Sequence, residues 1–341
     1  MKIGLITIFH VPNNGALLQC YALSKYLKEM GHEVFLYDVP FYKSSKWIHN
    51  MKERIFSADM VRFISTYLPP YTSDLSAKAD VYMVGSDQVW NLAIVQRQMN
   101  NYMLGFVPQG GKKVAYAASF GTEQWTASEY TEEATRLLKE FQYVTVREHS
   151  GVELAETEFG VKAHHVLDPC LLLKDYSEII GVKTAAEPLS DNLVVYKLNY
   201  TYDWYLNVKL TAEKLGCNLV ELCGRRLKDK GDMHGFNVKG VSVRNWITAI
   251  ANAKYVITDS FHGCVFSVIF GKPFVIVPGL KNRSTRLTSL LSDLGLSDRI
   301  VKKYDDCEKV LHKQIDYHTV NRKLDVLRAK SYSHLASMLQ D

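Results

Sequence analysis

Along most of this chain, short apolar runs alternate with stretches of helical spacing, and each run hands over to polar residues at its carboxyl end. Lys2 to Phe9 is the first run, and Asn13-Asn14-Gly15 makes a turn after it. Ala16, Cys20, Leu23, Leu27 and Met30 then fall at helical spacing, with Gly31 as a stop, and Val34 to Tyr37 is the next strand. That is a β-α-β unit. The pattern goes on. Val81 to Val84 ends in Gly85-Ser86-Asp87, Val114 to Ala118 in Ser119-Phe120-Gly121, Tyr143 to Val146 in Arg147-Glu148, and His165 to Leu167 in Asp168-Pro169. Such an alternation specifies an open α/β sheet, and in such sheets ligands bind at the carboxyl edge of the strands.

The pattern breaks between Leu173 and Ser190, where Pro188 and mixed polar residues interrupt it, and then restarts. Leu193 to Leu198, Leu219 to Leu222, Tyr255 to Thr258 and Phe274 to Val277 read as strands. Helices are expected from about Trp204 to Leu215, from a Ser242 cap through Ala251, from Ser260 to Phe270 and from Thr285 to Leu294. A length of 341 residues also favours two domains. The expected architecture is α/β, with two Rossmann-like domains and a cleft between them. Residues 1–182 form the first domain and 183–310 the second. A helical tail, 311–341, crosses back to the first.

The net charge of +5, spread over this length, lacks the concentrated basic stripe of a nucleic-acid binder. It suits a protein that handles phosphates and carboxylates, or one that rests against an acidic membrane surface. The six cysteines form no CxxC pair and mostly sit in apolar runs, so buried reduced thiols are expected. The N-terminus has no leader pattern and no apolar run is long enough to span a bilayer. The expected place is the cytoplasm, including the cytoplasmic face of the membrane.

Absent motifs narrow the chemistry. The sequence has no GxGxxG, Walker A loop, GxSxG or HExxH, and no Asp-x-Asp for a metal-bound sugar nucleotide. His164 and His165, adjacent on a strand, would point to opposite faces and make poor joint metal ligands. No metal and no organic cofactor are expected. The most informative stretch is Thr258-Asp259-Ser260-Phe261-His262-Gly263, where a buried strand ends and a helix begins. Ser260 can cap that helix, Gly263 can admit a ligand to the backbone, and His262 adds a titratable donor beside an anion-attracting helix end. The alternative is a plain cap with a structural histidine.

In Gly85-Ser86-Asp87-Gln88-Val89-Trp90-Asn91, Asp87 and Gln88 can bind sugar hydroxyls and Trp90 can face a sugar ring; the alternative is a tight turn with Trp90 in the core. Arg147 suits a two-pronged grip on carboxylate or phosphate, or an ion pair with a nearby acid. Arg283 and Arg286 either close over an anion or belong to a solvated helix face.

Taken together, these stretches resemble the polysaccharide pyruvyl transferase family. The matching residues are Asn14-Gly15-Ala16-Leu17-Leu18-Gln19, Gly85 to Asn91, Tyr116 to Gly121, Val146-Arg147-Glu148, Val166-Leu167-Asp168-Pro169, Asp259 to Gly263, and Arg286 with Ser289-Leu290-Leu291, in the family's order. The resemblance implies a fold like that of the GT-B glycosyltransferases. It implies phosphoenolpyruvate as donor and, as acceptor, a sugar diol of a capsular or exopolysaccharide repeat unit, free or lipid-linked at the inner membrane surface. The product would be a cyclic pyruvate ketal.

Carried over residue by residue, the resemblance makes His262, Arg147 and Arg286 donor ligands, with His262 also a candidate acid and Asp87 a candidate base. Asn14, Gly15, Gln88, Trp90, Ser119, Asp168, Ser260, Gly263 and Arg283 are the further expected substrate-binding positions. The alternative reading is a glycosyltransferase of the same shape using a nucleotide sugar. A sugar-binding protein without catalysis is a third.

Overall fold

The computed structural model describes residues 1–11, 13–39, 58–181, 190–198, 202–223, 241–278 and 285–340. Its contacts divide the chain into two compact units: Met1–Val11, Ala16–Leu173 and Leu324–Asp341 in the first, Pro12–Gly15 and Lys174–Lys323 in the second. The division thus falls at 173/174 and inside the last helix, where the sequence pattern suggested 182/183 and 310/311.

The first unit is a seven-stranded parallel sheet in the order β3-β2-β1-β4-β5-β6-β7. Its strands are β1 (Lys2–Ile6), β2 (Glu33–Tyr37), β3 (Tyr71–Thr72), β4 (Val81–Val84), β5 (Lys112–Ala118), β6 (Tyr143–Val146) and β7 (His164–His165). The residues of β1, β2, β4, β5 and β6 are buried except for the first residue of four of them, as expected when helices cover both faces of a parallel sheet, while the two-residue edge strands β3 and β7 are not buried. Helix α1 (Asn14–Glu29) joins β1 to β2, and Gly31 beyond it takes φ 86°, a left-handed turn that glycine adopts without cost. Helix α2 (58–67), the short α3 (Leu92–Val95) and α4 (Met99–Tyr102), α5 (Thr131–Leu138) and α6 (His149–Phe159) complete the layers. Strand order reverses between β1 and β4, which is the point where Rossmann sheets open a crevice for ligands.

The second unit holds a four-stranded parallel sheet, β11-β10-β8-β9, made of β8 (Asn192–Lys197), β9 (Asn218–Cys223), β10 (Tyr255–Thr258) and β11 (Phe274–Ile276). One face packs Leu193, Val195, Ile257 and Val275 with Trp204 and Val208 of α8 (Tyr202–Leu215). On the other face Trp246 of α9 (Val243–Asn252) meets Tyr196 at 5.1 Å and Phe266 at 5.4 Å, ring edge to ring face. Phe266 belongs to α10 (Phe261–Ile269), whose residues Phe261 to Val268 are all buried, the mark of a helix with no solvent-facing side. The short α7 (Ser177–Ile180), α11 (Thr285–Leu294) and α12 (Cys307–His312) complete this unit. Its strand order reverses between β8 and β10, so the stretch Thr258 to His262 lies at the second reversal point.

The final helix α13 (Tyr317–Leu339) begins in the second unit and ends in the first. Within the first unit Arg328 Nε donates to the Leu171 carbonyl at 2.6 Å, the Tyr332 hydroxyl to that of Leu172 at 2.7 Å, and Ser331 Oγ accepts from Leu167 N–H at 3.0 Å. These bonds satisfy backbone groups after β7 that have no strand partner. Cys20, Cys170, Cys264 and Cys307 are buried free thiols, and burial pushes Cys20 up to about 12. No helix of the described residues is long and apolar enough to cross a membrane.

Candidate functional site

In the first unit the carboxyl ends of β4 to β7 converge on Arg147, whose side chain is wholly buried. One guanidinium nitrogen donates to Asp168 at 2.7 Å and to Ser86 Oγ at 3.3 Å, and the other to Asp87 at 3.1 Å. Glu148 lies 3.8 Å from Arg147 Nε and receives the Ser119 hydroxyl. Ser86 donates to Asp168 at 2.9 Å, and Asp168 also accepts from Cys170 N–H at 3.0 Å. Burial works against the charge of Arg147. The nearby carboxylates of Asp168, Asp87 and Glu148 outweigh it, and its pKa is raised. Of the residues expected to touch substrate, Arg147 and Asp168 grip each other, and Ser119 holds the Glu148 carboxylate beside them.

Trp90, expected to face a sugar ring, is enclosed: it is 1% exposed, donates to the Tyr102 carbonyl at 3.1 Å and packs on Phe120 and Phe141. Gln88 accepts from Asn91 at 2.9 Å, and both fill the space beside Gly121, where a Cβ would lie 2.3 Å from the Gln88 oxygen. The backbone here is strained. Asp87 has φ 77° and Ala117 has φ 54°, conformations that side-chain-bearing residues seldom adopt. Ala117 sits in a bulge of β5 whose N–H is taken up by Thr145 Oγ1 at 3.0 Å, and the adjacent Ala118 bridges to Asp87. Strain of this kind clusters at functional sites, and here it sets the direction of the Asp87 carboxylate.

At the reversal point of the second unit, Ser260 caps α10 by accepting from Gly263 N–H at 3.4 Å, and Asp259 Oδ1 accepts from Leu198 N–H at 2.7 Å, tying the β10 turn to the end of β8. Thr258 Oγ1 accepts from Ser260 N–H at 3.0 Å and donates to the Tyr196 carbonyl at 2.5 Å. Gly263 serves this packing: a Cβ there would lie 2.4 Å from Thr258 Oγ1, so its bareness admits the strand rather than a ligand. His262 is buried, and its ring occupies the space next to Gly15, where a Cβ would lie 2.2 Å from Nδ1. Gly15 is thus required by the histidine. Its N–H is held by Asn13 at 3.0 Å, and Asn14 donates to the Val241 carbonyl at 3.3 Å. Arg286, in the first turn of α11, is 8% exposed and holds its guanidinium 5.8 Å from the centre of the Phe261 ring. Arg283 lies outside the described residues.

Three groups at these edges escaped the sequence reading although each stands at a strand's end. Lys197 closes β8. Its ammonium donates to the Tyr304 hydroxyl at 2.7 Å and faces the rings of Trp204 and Tyr304. Burial lowers its pKa, and Asp259 opposes that shift. Asp38 follows β2 and His10 follows β1, and their side chains meet at 2.8 Å. Position directly after an apolar run was the available signal.

A model of the polysaccharide pyruvyl transferase family matches residues 13–279. This chain belongs to the polysaccharide pyruvyl transferase family. The match takes in the ends of β4 to β7 in the first unit and all four strands of the second, so the family's sequence features and the sheet edges coincide. No curated protein matches the chain. Among solved structures it is similar to the glycotransferase of kitacinnamycin (13% identity, TM-score 0.51, covering 98% of this chain and 95% of that one). It is also similar to the spinosyn rhamnosyltransferase (11%, 0.51, 99% and 99%) and to the UDP-GlcNAc 2-epimerase of Methanocaldococcus jannaschii (11%, 0.52, 96% and 100%). At such identities the likeness establishes the fold: two Rossmann-like domains of the GT-B kind. The family makes the chain a transferase of polysaccharide biosynthesis.

Proposed function

We propose that this protein transfers pyruvate from phosphoenolpyruvate to two hydroxyls of one sugar, forming a cyclic ketal and releasing phosphate. The observation that carries the reading is the second unit's reversal point, where the capped N-terminus of α10, His262 in its first turn and Arg286 near Phe261 lie in one unit. A helix N-terminus and a guanidinium suit a donor bearing both phosphate and carboxylate. Lys197, at the end of β8, adds a third cationic group to the same edge.

The chemistry runs in two additions. The donor's C2=C3 π pair takes a proton at the methylene carbon, and a histidine such as His262 suits that transfer near neutral pH. A sugar hydroxyl adds to C2 and loses its proton to a base. The bond from C2 to the phosphate oxygen breaks with its electron pair, and a neighbouring hydroxyl closes the ring. Of the two hydroxyl protons, one balances the new methyl group and the other leaves with hydrogen phosphate. The acceptor is a polysaccharide repeat unit or its lipid-linked precursor, and the scheme uses no metal.

The test is incubation with phosphoenolpyruvate and a panel of galactose- and mannose-type acceptors in chelator, following phosphate release and the acceptor's mass gain. Nucleotide sugars are run in parallel. Turnover of nucleotide sugars alone would replace this reading with glycosyl transfer, and a strict divalent-ion requirement would remove the metal-free scheme.

A further inference from the structure

The proposed reaction needs a base for the acceptor hydroxyl, and Asp87 is a poor fit for that task. Its Oδ1 already accepts from Arg147 at 3.1 Å and from Gln88 N–H at 2.9 Å. The same sheet edge carries another arrangement. His10 Nδ1 lies 2.8 Å from Asp38 Oδ1. A carboxylate there fixes the tautomer with hydrogen on Nδ1, which leaves the Nε2 lone pair of the neutral ring to accept a proton. His10 is about one-third exposed, at 32%, so the ring is within reach of a solute. The ring of Tyr71 stands edge-on to His10 with centroids 5.0 Å apart, and that residue is 51% exposed. An exposed aromatic beside an oriented imidazole is what a sugar acceptor requires: an apolar face for its C–H groups and a base for its hydroxyl.

The frame beneath is rigid. Asp38 N–H donates to the Thr72 carbonyl at 2.8 Å, the Tyr102 hydroxyl donates to the Val39 carbonyl at 3.3 Å, and Phe9 is buried. The position is also right. His10 follows β1, the strand that flanks the first unit's reversal point. The phenol of Tyr102, whose pKa is raised first by burial, is raised further by both Asp38 and Asp87, so the two carboxylates belong to one rim.

We infer that His10 and Asp38 form the base dyad of an acceptor subsite on the first unit, with the exposed ring of Tyr71 as its sugar platform. The inference rests on the pyruvyl-transfer reading for its chemistry. The acceptor oxygen bonds to C2 of the donor as its proton passes to His10 Nε2, and Asp38 is a positioning residue that holds the ring and stabilises the imidazolium. The proton leaves later with phosphate, which restores the neutral ring.

The experiment has two arms. In the first, His10→Gln lowers saturated turnover about a hundredfold, leaves half-saturation by phosphoenolpyruvate unchanged and abolishes the acidic limb of the turnover–pH profile. Asp38→Asn lowers turnover at least about tenfold, and Tyr71→Ala raises acceptor half-saturation with a smaller effect on turnover. Melting temperatures identify any variant that has not folded. Wild-type turnover with an unchanged pH profile in His10→Gln overturns the inference. The second arm needs no donor: galactose- and mannose-type acceptors are titrated against the native protein while the ring signals of His10 are followed by NMR, with Tyr71→Ala as control. Perturbation by an acceptor in the native protein that weakens in Tyr71→Ala supports the subsite. If no acceptor moves those signals, the subsite is overturned whatever the donor is. If the native protein consumes no phosphoenolpyruvate but an acceptor does move them, the donor reading has failed and the subsite stands.

Discussion

The two reversal points use the same topology in different ways. In the first unit the polar residues at the ends of β4, β5, β6 and β7 satisfy one another, with one guanidinium among the carboxylates of Asp87, Asp168 and Glu148. In the second unit the corresponding turn is held by Ser260, Thr258 and the Asp259 carboxylate acting on backbone groups, while His262, Arg286 and Lys197 make contacts through rings. The lesson is that a charged residue at a strand end can be read only once its neighbours are known: Arg147 is spent on three carboxylates, whereas Arg286 faces a ring. In the proposed reaction the first unit's Arg147 cluster fixes a shape while His10 and Asp38 supply the chemistry, and the second unit's cationic groups are assigned to the donor anion.

The largest expected effect tests the structural half of that contrast. Arg147→Ala strands buried carboxylates and should cost about 3–5 kcal/mol of stability in urea unfolding. A variant of native stability that fails to bind phosphoenolpyruvate would break the comparison by making Arg147 a ligand. Next, His262→Asn keeps much of the shape but removes the proton, and turnover at saturating donor should fall roughly a hundredfold. A raised donor requirement with intact saturated turnover would make His262 a phosphate ligand only. Arg286→Ala should weaken donor binding by about 2 kcal/mol, roughly thirtyfold, with little change in melting temperature. Gly15→Ala should act on the second unit through His262, displacing its ring, and so reduce turnover in the same sense as His262→Asn, but less.

The smallest effect separates the units by pH. In the first unit His164 and His334 stack at 4.7 Å, and Tyr143 bonds His334 at 2.8 Å. Burial lowers both histidine pKa values; Lys162 and Lys330 lower that of His164 further, and His164 and Lys330 that of His334. The unfolded chain then binds more protons, so their contribution is present above about pH 6.5 and is lost as pH falls through the lowered folded values. In the second unit burial raises Glu221 to about 7. The sign is opposite: that contribution is present below the unfolded carboxyl value of 4.5 and is lost as pH rises through about 7. Melting followed from pH 5 to 8 should show His334→Gln flattening the acidic side and Glu221→Gln the neutral side. An unchanged profile in either variant removes that group from the account.

Much of the fold was legible because the strand signal is local. Val81–Val84, Tyr143–Val146 and Tyr255–Thr258 read from their apolar runs with the observed ends, and Ser242 and Ser260 read as caps. The two-residue β3 and β7 were harder. Tyr71–Thr72 has too few residues to show a period, and the expected strand at His165 to Leu167 gives way after His165, where the following N–H groups are taken by the Val146 carbonyl and by Ser331 of the last helix. The candidate site was legible as a set of strand ends, not as roles. Gly263 reads as room for a ligand until Thr258 is seen filling it, and Trp90 reads as an exposed platform or a core residue with equal ease.

By itself, the sequence determined the alternation of strand and helix, the family and the edges of the two sheets where chemistry can occur, since periodicity, caps and turn residues act over a few positions. Only the tertiary structure decided which polar residues are spent on one another. Asp87, Arg147 and Asp168 are far apart along the chain and meet because β4, β5, β6 and β7 follow one another in a single parallel sheet, and His10 meets Asp38 because β1 pairs with β2. Arg147 takes Asp87 and Asp168 from the ends of other strands, and which strand ends lie near one another is set by the order of the sheet.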